Sequence, residues 1–329
     1  SKRSFKVKTI TITITGAAGN IAYSLIFRIL SGNIFNQDDK IRLNLLDIPS
    51  ALQVLKGVKL EVEDCAFKQL DSVLITDNPE KAFSDSDFIL LVGAKPRSKG
   101  MQRSDLLLDN ANIFQGHAKI INENAKKSTK IIVVGNPANT NALIVQNYAK
   151  NIPTENITSL MRLDQNRAKS ILSSKTDSKV EQIQQLVVWG NHSATQYPDI
   201  NNALIDNSNL KILDLESDWI HKEFIPRVQN RGAEIIENRG KSSAASAASA
   251  IYDHLDTLIN GSNDWESMGI MSDNPYGIDD QIFFSYPLLV SQSQVKIIDE
   301  LTLSDNSIRY IKESEKELIS ERDIIKDLL

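Results

Sequence analysis

The sequence lacks most features of secreted and membrane proteins. It has one cysteine, Cys65, so no disulfide can form within the chain, and sparse cysteine is typical of proteins in a reducing compartment. No apolar run approaches the roughly 18 residues that span a bilayer. The basic residues 1–6 are not followed by the continuous apolar stretch and small-residue cleavage site of a signal peptide. We therefore expect a cytoplasmic protein with no membrane partner.

An excess of positive charge is also missing. The chain has 37 lysines and arginines against 42 aspartates and glutamates, which gives a formal net charge of −5. A general nucleic-acid-binding domain is usually basic, so we expect no nucleic-acid partner. A local basic site is still compatible with this charge, because the net charge does not describe a single cleft.

The length of 329 residues exceeds the usual size of a domain with a single hydrophobic core, and it fits two domains that share a cleft. In the first half, helical patterns alternate with apolar, β-branched segments that are typical of parallel strands, at 6–15, 41–46, 73–76, 87–93 and 130–134. Such alternation predicts an α/β fold with a doubly wound parallel sheet, the Rossmann arrangement.

The second half has a different pattern. A strand is predicted at 185–189, antiparallel strands within 267–300 and an amphipathic helix at 304–328. We therefore expect a Rossmann domain over residues 1–160 and a second, α+β catalytic domain over residues 161–329.

A glycine turn joins the first predicted strand to the first predicted helix. Glycine permits the sharp turn, and its missing side chain lets a pyrophosphate approach the backbone at the positive end of the helix dipole. The spacing glycine-x-x-glycine-x-x-alanine differs from the strict G-x-G-x-x-G pattern, and many glycine turns bind nothing. The strand–helix context favours dinucleotide binding by the residues of this turn: Gly16, Ala17, Ala18, Gly19, Asn20, Ile21 and Ala22.

Asp47 ends the second predicted strand, where a carboxylate can accept both ribose hydroxyls of an adenosine. Its charge would repel a 2′-phosphate, which favours NAD over NADP. The distance from the glycines is longer than the usual ~20 residues, and the polar insert at 31–40 accounts for the difference. The alternative is an aspartate that only caps the turn before Pro49.

Three further segments carry residues suited to chemistry on a small anion. The loop after the strand at 87–93 holds Arg97 and Arg103, and arginine matches a carboxylate with a planar fork of donors. Asp164 and Arg167 are three residues apart at a helix start, which also fits a plain intrahelical ion pair. His192 lies in a glycine-containing turn, a position suited to proton transfer, although a histidine in a turn is more often structural.

These segments, taken together and in order along nearly the whole chain, closely resemble the cytosolic-type malate dehydrogenases of the lactate/malate dehydrogenase superfamily. The matching stretches lie at 16–22, 95–103, 134–141, 162–168 and 189–193, with shorter matches at 231–233 and 267–269.

The resemblance implies a role for each matching side chain in the transfer of a hydride between malate and NAD. His192 would be the general acid/base, and Asp164 would hold its imidazole and raise its pKa. Arg103 would polarise the substrate carbonyl, Arg167 would bind the C1 carboxylate, and Arg97 would bind the distal carboxylate that separates malate from lactate.

The resemblance also implies further contacts. Asn136 would bind substrate, and Asn110 together with the backbone of Val134, Gly135 and Asn136 would contact the cofactor NAD. His117 stands where the family often has a glutamine near the cofactor; from its helical context alone we expect it, like His221 and His254, to be structural. Ser98-Lys99 departs from the glycine- or proline-rich pair of the family's loop. No metal site is expected.

The family resemblance implies a homodimer, and two segments bear on packing. The helical pattern at 50–64 and the residues after it fit either a subunit interface or the core equally well, through Leu55, Val58, Val62 and Phe67. The small-residue tract at 242–250 fits either a tight helix–helix contact or a surface that faces the cofactor.

Three alternatives to malate dehydrogenase follow from the same residues. A lactate-type 2-hydroxyacid dehydrogenase shares the architecture, but the pair Arg97 and Arg103 argues against it. An NAD-dependent glycosidase would need a metal-binding set that lone Cys65 does not supply. A nucleotide-binding protein without catalysis is disfavoured while His192, Asp164 and all three arginines are present.

Overall fold

The structure is a computed structural model and describes residues 6–329. Six strands of the first half are parallel: β1 (Thr9–Thr15), β2 (Lys40–Leu46), β3 (Leu70–Thr76), β4 (Phe88–Leu91), β5 (Lys130–Val133) and β6 (Ile157–Leu160). The five predicted strands are confirmed, the first of them from Thr9 onward. Strand β6 was not predicted, since its short pattern Ile-Thr-Ser-Leu carries little apolar signal.

Adjacent strands of this half follow the order β3-β2-β1-β4-β5-β6. Strand β1 pairs in parallel with both β2 and β4, so the chain reverses its direction of winding between these neighbours. Ligands of doubly wound sheets bind at the carboxyl ends of the strands on the two sides of such a reversal. The predicted doubly wound parallel sheet is confirmed.

Helices cover both faces of the sheet: α1 (Asn20–Ser31), α2 (Leu52–Asp64), α3 (Pro79–Phe83), α4 (Arg103–Asn124) and α5 (Ala138–Tyr148). On one face Ile12 and Ile14 pack in a core that includes Leu25 of α1. On the other face Ile89 packs in a core that includes Phe114 of α4. Each fully buried side chain of this kind contributes about 1.5–3 kcal/mol, so the alternating side chains of the strands hold both helical layers.

Helix α2 places its apolar residues in the core. Leu55, Val58 and Val62 are at most 5% exposed, and Phe67 is partly buried against the same cluster. Of the two explanations for this segment, core packing is therefore the one that the structure shows. The exposed apolar residues of the helix are Val54 and Leu60.

The second half adds helices α6 (Arg162–Thr176), α7 (Leu210–Leu213), α8 (Ile225–Arg239), α9 (Ala245–Asn260) and α10 (Asp305–Ile324). It also adds two short antiparallel pairs, β7 (Ile183–Gln184) with β10 (Leu204–Ile205) and β8 (Val187–Trp189) with β9 (Tyr197–Asp199). Helix α10 begins where the Ser304 hydroxyl accepts a hydrogen bond from the Ser307 backbone, a cap that satisfies one free N–H group. The predicted terminal helix is confirmed.

Three antiparallel strands extend the parallel sheet beyond residue 160: β11 (Glu266–Ile270), β12 (Phe284–Ser291) and β13 (Gln294–Ile297). Strand β11 pairs antiparallel with β6, so one nine-stranded sheet runs through both halves of the chain. The antiparallel strands expected in this region are confirmed, but their place in the same sheet was not predicted. The division of the chain at residue 160 stays a prediction.

The small-residue tract at 242–250 splits between its two explanations. Ala247, Ala248 and Ala250 of α9 are buried in the core that α1 also joins, which is the close helix–helix contact. Ser242 and Ser243, before the helix begins, line a cavity at the edge of the sheet. Within residues 6–329 no helix has both the length and the apolar character to cross a membrane.

Candidate active site

Two loops meet at the carboxyl ends of β1 and β4. Gly16 has a φ of +61°, and a Cβ built on it would lie 2.6 Å from the Cα of Gly93. A side chain at either position would force the loops apart because the backbones approach so closely, and the left-handed φ of Gly16 is a second reason for glycine there. The predicted role of Gly16 in a tight turn is thus visible in the backbone.

A cavity of about 960 Å³ lies over this turn, near the upper end of the roughly 300–1,000 Å³ typical of ligand sites. Its walls include Gly16, Gly19, Asn20, Ile21, Asp47, Ile48, Asp77, Ala94, Lys95, Pro96, Ile113, His117, Lys241, Ser242, Ser243 and Ala244. Ala17 and Ala22 are instead fully buried in the core. Of the predicted turn, therefore, Ala17 packs into the core from the loop and Ala22 from α1, while the glycines, Asn20 and Ile21 reach the cavity.

Asp47 serves the turn and the cavity at once. Its carboxylate accepts hydrogen bonds from the backbone of Ala18 at 2.9 Å and of Ile48 at 2.8 Å, and the residue lines the cavity. A carboxylate has about four acceptor sites, so two backbone bonds leave capacity for ribose hydroxyls. The cap before Pro49 and the ribose contact are compatible.

His117 lies on the cavity wall, and its ring meets that of Phe83 edge-on at 5.6 Å between centroids. Burial lowers the pKa of His117 to about 4, so its imidazole is neutral at pH 7. A neutral ring on an apolar wall presents a flat surface to a base and no charge to a phosphate. The position of His117 on the cavity wall is compatible with a cofactor contact, which stays a prediction.

Asn110 is fully buried and its amide is occupied by backbone. It accepts from the Lys95 N–H at 2.8 Å and donates to the carbonyls of Lys95 and Leu106, both at 3.1 Å. The structure therefore does not support the predicted direct cofactor contact of Asn110, because no part of this side chain is exposed to the cavity. It positions instead the loop that follows β4.

Val134, Gly135 and Asn136 follow β5. The backbone N–H groups of Val134 and Gly135 both donate to the Leu91 carbonyl at 3.0 Å, and both residues are buried. Asn136 is exposed and precedes a cis peptide bond to Pro137. Of these three residues, only Asn136 has an exposed side chain, and the backbone contact of all three with the cofactor stays a prediction.

His192 and Asp164 form the centre of the site. Nδ1 of His192 forms a hydrogen bond with one carboxylate oxygen of Asp164, and Gln196 Nε2 donates to the other at 3.0 Å. Asp164 has no exposed surface, whereas the His192 side chain is 20% exposed. The predicted pair is therefore brought together on the loop after β8 and the start of α6.

The charges of the pair reinforce each other. Burial penalises the charged imidazole, but the Asp164 charge and hydrogen bond outweigh it and raise the pKa of His192 above its usual value. Burial likewise opposes the Asp164 carboxylate, but the His192 charge, its hydrogen bond and Arg167 hold the pKa of Asp164 below its usual value. The arrangement favours a protonated imidazole beside an ionised carboxylate.

Arg167 connects this pair to the cavity. Its Nη2 donates to the Ser243 hydroxyl at 2.9 Å, and Ser243 lines the cavity. Its Nη1 lies 3.9 Å from Asp164, beyond hydrogen-bond distance. The principal contact is thus not the intrahelical ion pair, and sequence reasoning did not single out Ser243.

Arg97 lies in the loop between β4 and α4, and Arg103 lies at the end of this loop as the first residue of α4. Arg97 is exposed and has no ion pair among the described residues. Arg103 begins α4 with a side chain 59% exposed, and its Nη2 lies 3.5 Å from Glu321 of α10. Neither arginine is hydrogen-bonded or ion-paired to His192 or Asp164 in the described part of the chain.

Asn139, which sequence reasoning did not single out, supports the turn of His192. Its side-chain oxygen accepts from the His192 backbone at 3.1 Å, and its nitrogen donates to the carbonyls of Gly190 and Phe283. Gly190 has a φ of +96°, and a Cβ there would lie 2.2 Å from the Ser314 hydroxyl. The turn thus depends on residues distant in sequence.

Comparison with protein families identifies this arrangement. Residues 10–158 match the NAD binding domain of lactate/malate dehydrogenase, and residues 161–328 match the alpha/beta C-terminal domain of lactate/malate dehydrogenase. The chain belongs to the lactate/malate dehydrogenase family. Its cofactor is NAD, and the glycine turn, Asp47 and the cavity fit that cofactor. The protein is an NAD-dependent 2-hydroxyacid dehydrogenase.

Solved structures of both branches of the family are similar to this chain. A malate dehydrogenase from Naegleria fowleri is 41% identical with a TM-score of 0.94, over 98% of this chain and 99% of that one. A lactate dehydrogenase from Trichomonas vaginalis, in complex with NADH and oxamate, is 34% identical with a TM-score of 0.92, over 97% and 98% of the two chains. The similarity to both enzymes shows the family but does not distinguish malate from lactate as the substrate, so that distinction depends on the residues of the site.

A further similar structure comes from the same lactate dehydrogenase. It is the apo form of a leucine-to-arginine variant, 35% identical with a TM-score of 0.93, over 98% of each chain. Among residues 6–329 no group of His, Cys, Asp and Glu side chains is arranged to hold a metal ion.

Proposed function

We propose that this dehydrogenase is a malate dehydrogenase, which interconverts (S)-malate and oxaloacetate with NAD and NADH. The observation that carries the proposal is Arg97, an exposed guanidinium without an ion-pair partner in the described chain, in the loop beside the cofactor cavity. A second carboxylate on the substrate would supply the missing partner. A monocarboxylate such as pyruvate would not.

The other groups act on parts of the substrate that malate and lactate share. Arg167 binds the C1 carboxylate from α6, where its Nη2 donates to Ser243, a residue of the cavity wall. Arg103 reaches the C2 oxygen when the loop closes and stabilises negative charge that develops there. Asn136, exposed at the end of β5, is the remaining polar group that we assign to the substrate.

His192 moves the proton. NAD, when bound, takes up or delivers the hydride. The raised pKa of His192 keeps its imidazole protonated and ready to donate to the carbonyl oxygen of a 2-oxo acid. In the reverse direction the imidazole of His192 takes the hydroxyl proton from malate, and Asp164 stabilises the resulting imidazolium cation.

A lactate-type enzyme is the second candidate, because lactate dehydrogenases at 34% and 35% identity share the fold. Steady-state assays with NADH and either oxaloacetate or pyruvate separate the two, with absorbance of the reduced nicotinamide as readout. We expect kcat/KM for oxaloacetate to exceed that for pyruvate by roughly 10²–10⁴-fold. This range is the free energy of one paired carboxylate, converted at ~1.4 kcal/mol per tenfold change. Equal values, or a preference for pyruvate, would overturn the proposal.

We also infer a cytoplasmic homodimer. Support comes from exposed apolar side chains on two contacting helices: Val54 and Leu60 of α2 are 54% and 60% exposed, and Tyr23 of α1, which hydrogen-bonds Glu61 of α2, is 42% exposed. Exposed apolar surface of this kind is found at subunit contacts. Light scattering measures the mass directly, and a monomer at micromolar concentration would contradict this inference.

A further inference from the structure

Two carboxylates of the terminal helix stand behind the turn that carries His192. Glu317 and Glu321 are one helical turn apart on α10, and both side chains are turned inward, 19% and 2% exposed. Glutamate is almost never fully buried unless it is paired. The partners of Glu321 therefore need an explanation beyond packing.

Both neighbours of His192 in the chain bind these carboxylates. Nδ2 of Asn191 donates to Glu317 and to Glu321, each at 2.6 Å, and the Ser193 hydroxyl donates to Glu317. On the far side, the Thr140 hydroxyl donates to Glu321 at 3.3 Å. The pair thus fixes the acid/base turn through neutral donors.

Arg103 is the only cation among the described residues within ion-pair distance of the same carboxylates. Its Nη2 lies 3.5 Å from Glu321 and 3.9 Å from Glu317. The proposed function needs this guanidinium at the substrate C2 oxygen, so its five N–H donors would be divided between the substrate and the buried carboxylate unless it leaves Glu321.

We propose that Glu321 is a positioning residue that holds Arg103 while the loop is open and must release it when substrate closes the loop. The inference rests on the proposed role of Arg103 in substrate binding. It assigns to α10, which carries none of the expected substrate ligands, a part in setting how readily the site closes.

The charges around Glu321 give this release a dependence on pH. Burial and the neighbouring Glu317 raise the pKa of Glu321 to about 7, against the lowering effects of Arg103, Asn191 and Thr140. When Arg103 leaves, its lowering effect is lost and the pKa rises further. Loop closure is therefore accompanied by proton uptake near and above pH 7, and a protonated Glu321 favours the closed state.

The decisive comparison is the ratio of KM values, wild type over Glu321→Gln, for the 2-oxo acid between pH 6 and pH 9. The substitution removes the charge but keeps an acceptor for Asn191. We expect a ratio near one at pH 6 and about two- to fivefold at pH 8.5, which equals about 0.4–1 kcal/mol and suits a half-exposed ion pair. Titration of His192 affects both enzymes and cancels in the ratio.

Glu313→Gln is the matched control, because Glu313 lies on the solvent face of the same helix. Its ratio should stay at one throughout. A ratio for Glu321→Gln that does not change with pH, with kcat alone reduced, would show a merely structural role and overturn the inference. Glu321→Asp should restore the pH dependence.

Glu317→Gln provides an independent test if Glu321→Gln does not fold. Removal of the like charge lowers the pKa of Glu321, so the pH dependence of KM should shift to lower pH. An unchanged midpoint contradicts the inference. The proposed function fails in a different way, namely if the wild type itself does not reduce oxaloacetate in preference to pyruvate.

Discussion

The Asp164 carboxylate, which has no exposed surface, hydrogen-bonds Nδ1 of His192. A carboxylate acceptor places the proton on Nδ1 and leaves Nε2 as the nitrogen that can exchange a proton with substrate. The tautomer and the raised pKa of His192 thus have one origin.

Asp164→Asn should lower kcat by about 10²–10⁴-fold, the usual range of general acid–base catalysis. The raised pKa of His192 keeps the imidazole protonated above its usual titration range. Without the Asp164 charge, burial would lower that pKa, so reduction of the 2-oxo acid should decline at lower pH than in the wild type. The pH profile of kcat/KM measures this shift.

The control for this substitution is Asp177→Asn, at the exposed end of the same helix α6. Asparagine tolerates the left-handed backbone there, so its pH profile should match that of the wild type. A profile for Asp164→Asn with the wild-type midpoint would contradict the assigned electrostatic role.

Arg97→Gln should lower kcat/KM for oxaloacetate by roughly 10²–10⁴-fold, because it removes a charge-assisted hydrogen bond and leaves the distal carboxylate of the substrate unpaired. This range is the free energy of the lost pair, converted at ~1.4 kcal/mol per tenfold change. The dissociation constant of NADH, followed by nicotinamide fluorescence, should stay within twofold. Lys99→Gln removes an exposed charge from the same loop and should change neither value. Retention of full oxaloacetate activity in Arg97→Gln is the outcome that refutes the assignment.

Gly16→Ala should weaken NADH binding by tenfold or more and lower the free energy of unfolding by about 1–3 kcal/mol. The new Cβ would lie 2.6 Å from the Gly93 Cα, on a residue with a φ of +61°. Calorimetric titration and chemical denaturation measure the two effects. Gly116→Ala, in the open middle of α4 where no atom lies within 4 Å of the new Cβ, should be neutral or stabilising.

Asn110→Ala should raise KM for the 2-oxo acid more than KM for NADH. The substitution leaves the backbone N–H and carbonyl of Lys95 without their Asn110 partner, at a cost of about 1–3 kcal/mol for each buried group. The loop that carries Arg97 is then held less firmly. Asn124→Ala, at the end of the same helix, loses one local bond to Ile120 and should be silent in both constants. A larger effect on NADH would restore the direct cofactor contact.

Local patterns in the sequence predicted the parallel sheet, the glycine turn and the terminal helix. The apolar run that contains β4 and the glycine turn at Gly16 can each be recognised from a few consecutive residues. Their prediction therefore needs no knowledge of residues distant in the sequence. His192 and Asp164 were paired only through family resemblance, since 28 residues separate them.

Partners across the sheet or across the chain could not be predicted in this way. Gln196 reaches Asp164 over 32 residues, Asn139 reaches His192 over 53, and Glu321 reaches Asn191 over 130. Each is an ordinary polar residue in its own segment. Their roles come from tertiary packing, which no local periodicity records.

The pairing of β11 with β6 has a practical consequence. Gly269 lies opposite Ser159, so close that a Cβ on the glycine would sit 1.8 Å from the serine hydroxyl. The cofactor half, expressed by itself, would present β6 as a bare edge strand and invite aggregation. The two halves are therefore unsuitable as interchangeable modules, and a chimera that swaps substrate specificity should graft the loop between β4 and α4 instead.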